Sequence, residues 1–250
     1  MKRSMLKIVG IIPARFAASR LPGKPLLDIA GKTMIQRVYE SVKKSKLIQQ
    51  VIVATDDERI RNCVESFGGI AMMSLGEHQT GDERVAETAK QIDCDVISYV
   101  QCDEPFIMAE IIDEVLGALL SDKSQVMTTC CHAIRDPERL KSPHVVKVVS
   151  DIKSNALMFS RSLIPFPRYS EYFKAYEHIG VFAYTKKFLL KYVSLPQTPL
   201  AQTESIEQLK ALESGYSIKV VKTRFPYTPP SVDTLEDLEL VRRFAKEHGL

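Results

Sequence analysis

The strongest constraint on this chain is a rhythm. Short apolar segments alternate with amphipathic ones through its first half. KIVGIIPA, VIVAT, IAMMS and DVISYVQ are separated by KTMIQRVYESVKKSK, DDERIRNCVESFGG and DERVAETAKQI, and AEIIDEVLGALLSD follows. Apolar runs without polar alternation mark strands covered on both faces. The intervening segments carry helical spacing, with Met34, Ile35, Val38 and Val42 on one face. Gly68 is placed to end the second helix. Repeated βα units bury these surfaces as a parallel sheet with helices on both sides.

Beyond about residue 125 the rhythm changes. QVMTTCCHAI, HVVKVVSD, ALMFS and HIGVFAYT are strand-like, with fewer helices between them. This predicts an antiparallel excursion beside the first sheet. ESIEQLKALESG is helical again, SIKVVKT is a strand, and DTLEDLELVRRFAKEHG is a closing helix with Asp233 or Thr234 near its N-cap. The segment from Pro165 to Glu177 shows no period and is expected to be a mobile loop.

Composition narrows the function classes. A formal charge of +3 over 250 residues is too weak a bias to imply nucleic acid, and the cations form no stripe with interleaved aromatics. No apolar run is long enough to span a bilayer. The start, MKRSMLKIVGIIPAR, has the charge order of a leader, but its apolar run meets Pro13 and Arg15 without a small-residue cleavage site, so it is expected to be the first strand. The five cysteines form no CxxC pair, which suits reduced thiols of a cytoplasmic protein.

The loop after that first strand, in IIPARFAASRLPGKPL, gathers Arg15, Arg20 and Lys24 around Gly23. Ligands of open parallel sheets sit at the carboxyl ends of the strands. Neither glycine-rich phosphate pattern is present: there is no GxGxxG, and Lys24 is followed by Pro25. A polyanion at this loop must therefore be held by side-chain charge, Arg as a fork and Lys as a point charge. Any one of these cations alone would pass as solvated surface. Farther on, VQCDEP puts Asp103 just past a strand end, with Gln101 two residues before it on the same side. On residue type alone Asp103 is either a ligand or a turn residue before Pro105, and Asp233 either a ligand or a cap.

These blocks, together with VATDDERI, EHQTGDER, VVKVVSD, ALMFSRSLIPFPR, EHIGVFAYT, IEQLKALESG and SVDTLEDLELV, resemble the 3-deoxy-manno-octulosonate cytidylyltransferase (CMP-Kdo synthetase) family, in order and over nearly the whole chain. The resemblance implies one α/β nucleotidyltransferase domain over residues 1–250. Its fold would be the three-layer nucleotide-diphospho-sugar transferase type: a mainly parallel central sheet and a smaller antiparallel sugar-binding and dimerisation part. Residues 1–125 would form the nucleotide half and 126–250 the sugar and dimer half. The implied reaction joins CTP to Kdo, giving CMP-Kdo and pyrophosphate for lipopolysaccharide synthesis. A related acidic sugar, 8-amino-Kdo or a sialic-acid-like nonulosonate, is the alternative.

By the same resemblance Lys24, Arg15 and Asp103 would be catalytic. Arg15, Ser19, Arg20, Lys24, Gln79, Gly81, Arg84 and Gln101 would bind nucleotide. Gln101, Arg161, His178, Tyr184, Glu207 and Gln208 would bind sugar, with Arg161 facing its carboxylate. Asp103 and Asp233 would hold Mg²⁺. A cytoplasmic homodimer is implied, with no membrane or nucleic-acid partner. The chain departs from the family at Cys102, where Gly is usual, at Asp82, where Thr or Ser is commoner, and near Ala201 and Gln202, where an acid is common.

Overall fold

The structure is a computed structural model and describes residues 6–17, 21–227 and 231–250. The first half runs β1 (Ile8–Ala14), a small antiparallel pair β2 (Asp28–Ile29) and β3 (Lys32–Thr33), α1 (Met34–Lys43), β4 (Gln50–Thr55) and α2 (Glu58–Ser66). Then come β5 (Ala71–Met73), α3 (Gly81–Gln91), β6 (Val96–Val100) and α4 (Ala109–Ser121). The second half contains β7 (Met127–Ala133), α5 (Pro137–Lys141), β8 (Lys147–Ser150), β9 (Ala156–Ser160) and β10 (Tyr176–Thr185). It closes with α6 (Lys186–Tyr192), α7 (Pro199–Glu204), α8 (Gln208–Glu213), β11 (Lys219–Lys222) and α9 (Leu235–Glu247).

The sheet order is β11-β7-β10-β6-β1-β4-β5. β6, β1, β4 and β5 are mutually parallel, as the βα rhythm requires. The antiparallel excursion joins the same sheet: β10 runs antiparallel to both β6 and β7, and the β8–β9 hairpin attaches through β10. β11 then pairs parallel to β7. Successive residues of β1 face opposite ways. Ile11 joins a core with Ile97, Tyr99, Phe159 and Phe182, whereas Ile12 joins one with Val38, Val53, Ile111 and Val181. Each fully buried isoleucine contributes about 2 kcal/mol, and because the central strands are covered on both faces the result is three layers.

Two details position the site. The first is a bulge in β10. Ile179 pairs with Cys130 and Phe182 with Thr129, so Gly180 and Val181 have no partner in β7. A Cβ at Gly180 would collide with the side-chain amide of Gln101, so any larger residue there must displace Gln101. The second is the docking of α9. Val232, Leu238 and Val241 pack on Ile29 and Met34 in a separate apolar cluster. Arg37 donates to Ile29 O at 2.7 Å and to Leu250 O at 3.2 Å, tying the end of α9 to α1.

Two expectations need correction, and a third is narrowed. The segment from Pro165 to Glu177 is not one loop: Ser170–Tyr172 form a 3-10 turn, and Tyr176 and Glu177 already belong to β10. The helical segment beginning at Lys32 opens with β3 and enters α1 only at Met34, capped by Thr33. Of the two residues the sequence offered near the N-cap of α9, Thr234 is the cap, in a capping box with Asp237.

Candidate active site

A cleft of about 510 Å³ opens at the carboxyl ends of β1 and β6 and runs along the exposed end of β10. Its chemistry centres on Lys24. Gly23 adopts φ 70°, a left-handed conformation that glycine accepts without strain, and it starts a short 3-10 turn in which Pro25 is buried. This turn aims Lys24 into the cleft. Its Nζ lies 2.8 Å from Asp103 Oδ2, 3.4 Å from Asp233 Oδ1 and 3.0 Å from Val232 O. Burial opposes the ammonium charge, but the neighbours, Asp103 foremost, outweigh it and lift the Lys24 pKa well above its ordinary value. Val232 N in turn donates to Asp103 O at 2.9 Å, so the two acids are latched together through the backbone.

The two carboxylates thus converge on one cationic point although 130 residues separate them in sequence. Asp103 Oδ1 is buried without a hydrogen-bond partner. Oxygen donors with spare lone pairs suit a hard divalent cation that completes its shell with water and phosphate oxygens, so these residues fit Mg²⁺. Among the described residues no group of three or more His, Cys, Asp or Glu could hold a metal unaided.

The remaining expected nucleotide residues divide. Arg15, Gln79, Gly81, Arg84 and Gln101 all line the cleft. Ser19 and Arg20 lie outside the described residues. Thr80 caps α3 in a capping box with Glu83, whose carboxylate also accepts from Gln79 N at 2.7 Å. Arg84 is buried and bonded to Asp56 at 2.6 Å and to Ser74, so its guanidinium braces the wall. Cys102 lines the cleft, and burial together with Asp103 pushes its thiol up to about 12, which leaves it a neutral filler and a poor nucleophile.

Of the residues expected to bind a sugar, Arg161, His178, Glu207 and Gln208 line the cleft. Arg161 donates to Glu204 O, Pro143 O and Ser205 O at 2.7, 2.9 and 3.3 Å, which leaves two of its five N–H donors for a ligand. Glu207 sits 3.4 Å from the buried Lys210 ammonium, the i,i+3 pair expected of a solvated helix face, here turned inward. Tyr184 is the exception. It is fully buried and does not line the cleft; its hydroxyl donates to Asp82 Oδ1 at 2.8 Å, and it meets the site only through that carboxyl.

Several acids line the cleft that the sequence reading did not assign to the site. Asp82 is buried in the first turn of α3, and burial raises its pKa to about 6. Glu104 accepts from Tyr227 Oη at 2.6 Å and Gly180 N at 3.2 Å, and burial beside Asp103 raises it to about 8. Glu177 is paired with Arg139 and His132. Glu104 could have been suspected as the neighbour of Asp103; nothing in the sequence singles out Glu177, whose role depends on the strand pairing of β10 with β7.

Asp82 carries a stability prediction. Its folded pKa is raised above the ordinary value of 3.8, so its contribution is fully present below that pH and is lost as pH rises through about 6. Asp82→Asn escapes this penalty. Thermal midpoints measured from pH 4 to pH 7 should therefore move in favour of the variant relative to wild type, by on the order of 1–3 kcal/mol. A constant gap across that range would remove the buried carboxylate from the account. His178 titrates with the opposite sign, since burial lowers it to about 4, and the comparison between the two proteins cancels it.

Comparison with known proteins places this geometry. Residues 9–220 match the cytidylyltransferase family. The chain is 44% identical over 246 residues to a 3-deoxy-manno-octulosonate cytidylyltransferase of Fusobacterium nucleatum, covering 98% of this chain and 99% of that one. It is 43% identical to the enzyme of the same name from Geobacter metallireducens, covering 94% and 96%. A solved structure of CMP:2-keto-3-deoxy-manno-octonic acid synthetase complexed with CTP superposes with a TM-score of 0.91, at 40% identity over 97% of this chain and 99% of that one.

Proposed function

The chain belongs to the cytidylyltransferase family, and from this premise we propose that its cleft transfers the cytidylyl group of CTP to 3-deoxy-manno-octulosonate, releasing pyrophosphate. The observation that carries the reading is the convergence of Lys24, Asp103 and Asp233 in a cleft that Arg161, His178, Glu207 and Gln208 also line. The first group is suited to a triphosphate and the second to an acidic polyhydroxylated sugar.

In the reaction a sugar hydroxyl oxygen bonds to the α-phosphorus and the bond from that phosphorus to the bridging oxygen breaks. The electron pair leaves on pyrophosphate, and the hydroxyl proton passes to solvent. The chain's own part is to place the reactants in line and to neutralise charge. Lys24 and Arg15 meet the charge that accumulates on the leaving pyrophosphate. Arg161 holds the sugar carboxylate with its two uncommitted donors. Asp103 and Asp233 would hold Mg²⁺, which when bound supplies Lewis acidity at the phosphate oxygens. Arg84 and the capped start of α3 keep the nucleotide wall rigid.

The reading extends to location and assembly. The five cysteines are free thiols, which suits the cytoplasm. Leu157 on β9, and Phe166 and Tyr172 after it, are large apolar side chains left exposed, a surface that a second copy of the chain would cover in a homodimer.

The test is an omission series. Pyrophosphate should appear only when CTP, Kdo and Mg²⁺ are all present, and should stop when a chelator removes the metal. Release without the sugar, or turnover unaffected by the chelator, counts against the assignment.

A further inference from the structure

His178 is held with unusual definition. Its ring packs edge-to-face against Phe159 and at a tilt against Phe182, with centroids 5.1 and 5.2 Å away, which restrains its orientation. One edge is taken: Nε2 is 2.8 Å from Thr129 Oγ1. The same hydroxyl is 2.8 Å from Val181 O, the carbonyl of a residue that the β10 bulge leaves without a partner in β7.

A hydroxyl has one proton to give. A carbonyl oxygen only accepts, so the contact with Val181 requires the Thr129 proton. The contact with His178 then requires Thr129 Oγ1 to accept, and Nε2 must carry the ring proton. In a neutral imidazole this leaves Nδ1 as a bare acceptor. Nδ1 has no partner among the described residues, and the ring lines the cleft.

We propose that Thr129 is a positioning residue that locks His178 as the Nε2–H tautomer, so that Nδ1 reads a hydroxyl donor on the bound sugar. Thr129 does not line the cleft and acts only through the ring. The role of the sugar rests on the function proposed above, whereas the tautomer rests on the hydrogen bonds alone. An acceptor without a protein partner discriminates between ligands, because a ligand lacking the matching donor leaves it unpaired.

The experiment has two arms. Long-range proton–nitrogen NMR on the full chain, with His178 assigned by its loss in His178→Gln, should show a pyrrole-type Nε2 and a pyridine-type Nδ1. Adding Kdo to the complex with CTP, under chelation to prevent turnover, should shift the Nδ1 resonance and leave Nε2 nearly in place. In the kinetic arm Thr129→Val should raise KM for Kdo ~10-fold with KM for CTP unchanged, and Thr129→Ser should restore it.

An Nδ1–H tautomer in the wild type overturns the proposal, as does an Nδ1 signal that saturating Kdo fails to move. Equal effects of Thr129→Val on both KM values reduce the residue to a structural part of the bulge and also overturn it. A wild type that turns over no CTP and Kdo defeats the assigned function, and the tautomer is then decided by the first arm alone.

Discussion

Lys24→Ala should lower kcat/KM for CTP by ~10³-fold, with the fall concentrated in kcat. The ammonium is the cation on which Asp103, Asp233 and Val232 O all converge, and the turn that presents it begins at a left-handed glycine. It is therefore preorganised, and a preorganised charge that meets negative charge developing on a leaving group acts mainly on the transition state. Lys24→Arg should not rescue the loss. A planar fork cannot replace a point charge that sits between two carboxylates and a carbonyl. The alanine variant also removes the ammonium that Asp103 and Asp233 share, so its thermal midpoint in the absence of nucleotide should fall. Ordinary turnover by Lys24→Ala in the pyrophosphate assay would exclude the residue from the chemistry and take the phosphate assignment of the first loop with it.

Asp103→Asn should be nearly as damaging, with kcat/KM down ~10²–10³-fold. The substitution keeps the shape of the side chain and removes its charge. Its diagnostic is the metal dependence: the Mg²⁺ concentration for half-maximal rate should rise by at least ~10-fold, since one of the two anionic oxygen donors becomes a neutral amide. The loss of stability should be modest, about 1 kcal/mol. The Lys24–Asp103 pair is partly solvated, and Lys24 retains Asp233 and Val232 O. The combination of a large kinetic loss, a shifted metal requirement and a small change in midpoint separates loss of a ligand from loss of fold. An unchanged Mg²⁺ requirement would mean that Asp103 serves Lys24 and no metal.

The two halves of the chain differ in how openly the sequence states their structure. β1, β4, β5 and β6 and the helices between them follow from local pattern, because buried parallel strands and amphipathic helices write their periods into the sequence. β2 and β3 are two-residue pieces, and α5 and α7 are five and six residues long, all too short to carry a period. In the second half the strands were visible but their destination was not. β7 and β10 enter the main sheet and β11 runs parallel at its edge, an arrangement fixed by pairing between distant segments.

The site shows the same division. Arg15, Lys24, Gln101 and Asp103 follow strand ends, where residue type and position already suggest a ligand. Asp233 looked equally like a helix cap until the structure gave that task to Thr234. Tyr184 was misplaced because a tyrosine in a strand carries no signal of which face it takes; here it turns to the core and grips Asp82. Thr129 left no trace at all, since its importance arises from a bulge in a strand nearly fifty residues away.

The docking of α9 on Ile29 and Met34 bears on the order in which the molecule is assembled. The last strand of the sheet ends at Lys222, and Asp233 arrives only with the segment that leads into α9. Every strand of the sheet thus precedes that acid in the sequence. On the proposed reading, a molecule whose sheet has formed but whose α9 has not seated on Ile29 and Met34 would still lack the second carboxylate beside Lys24.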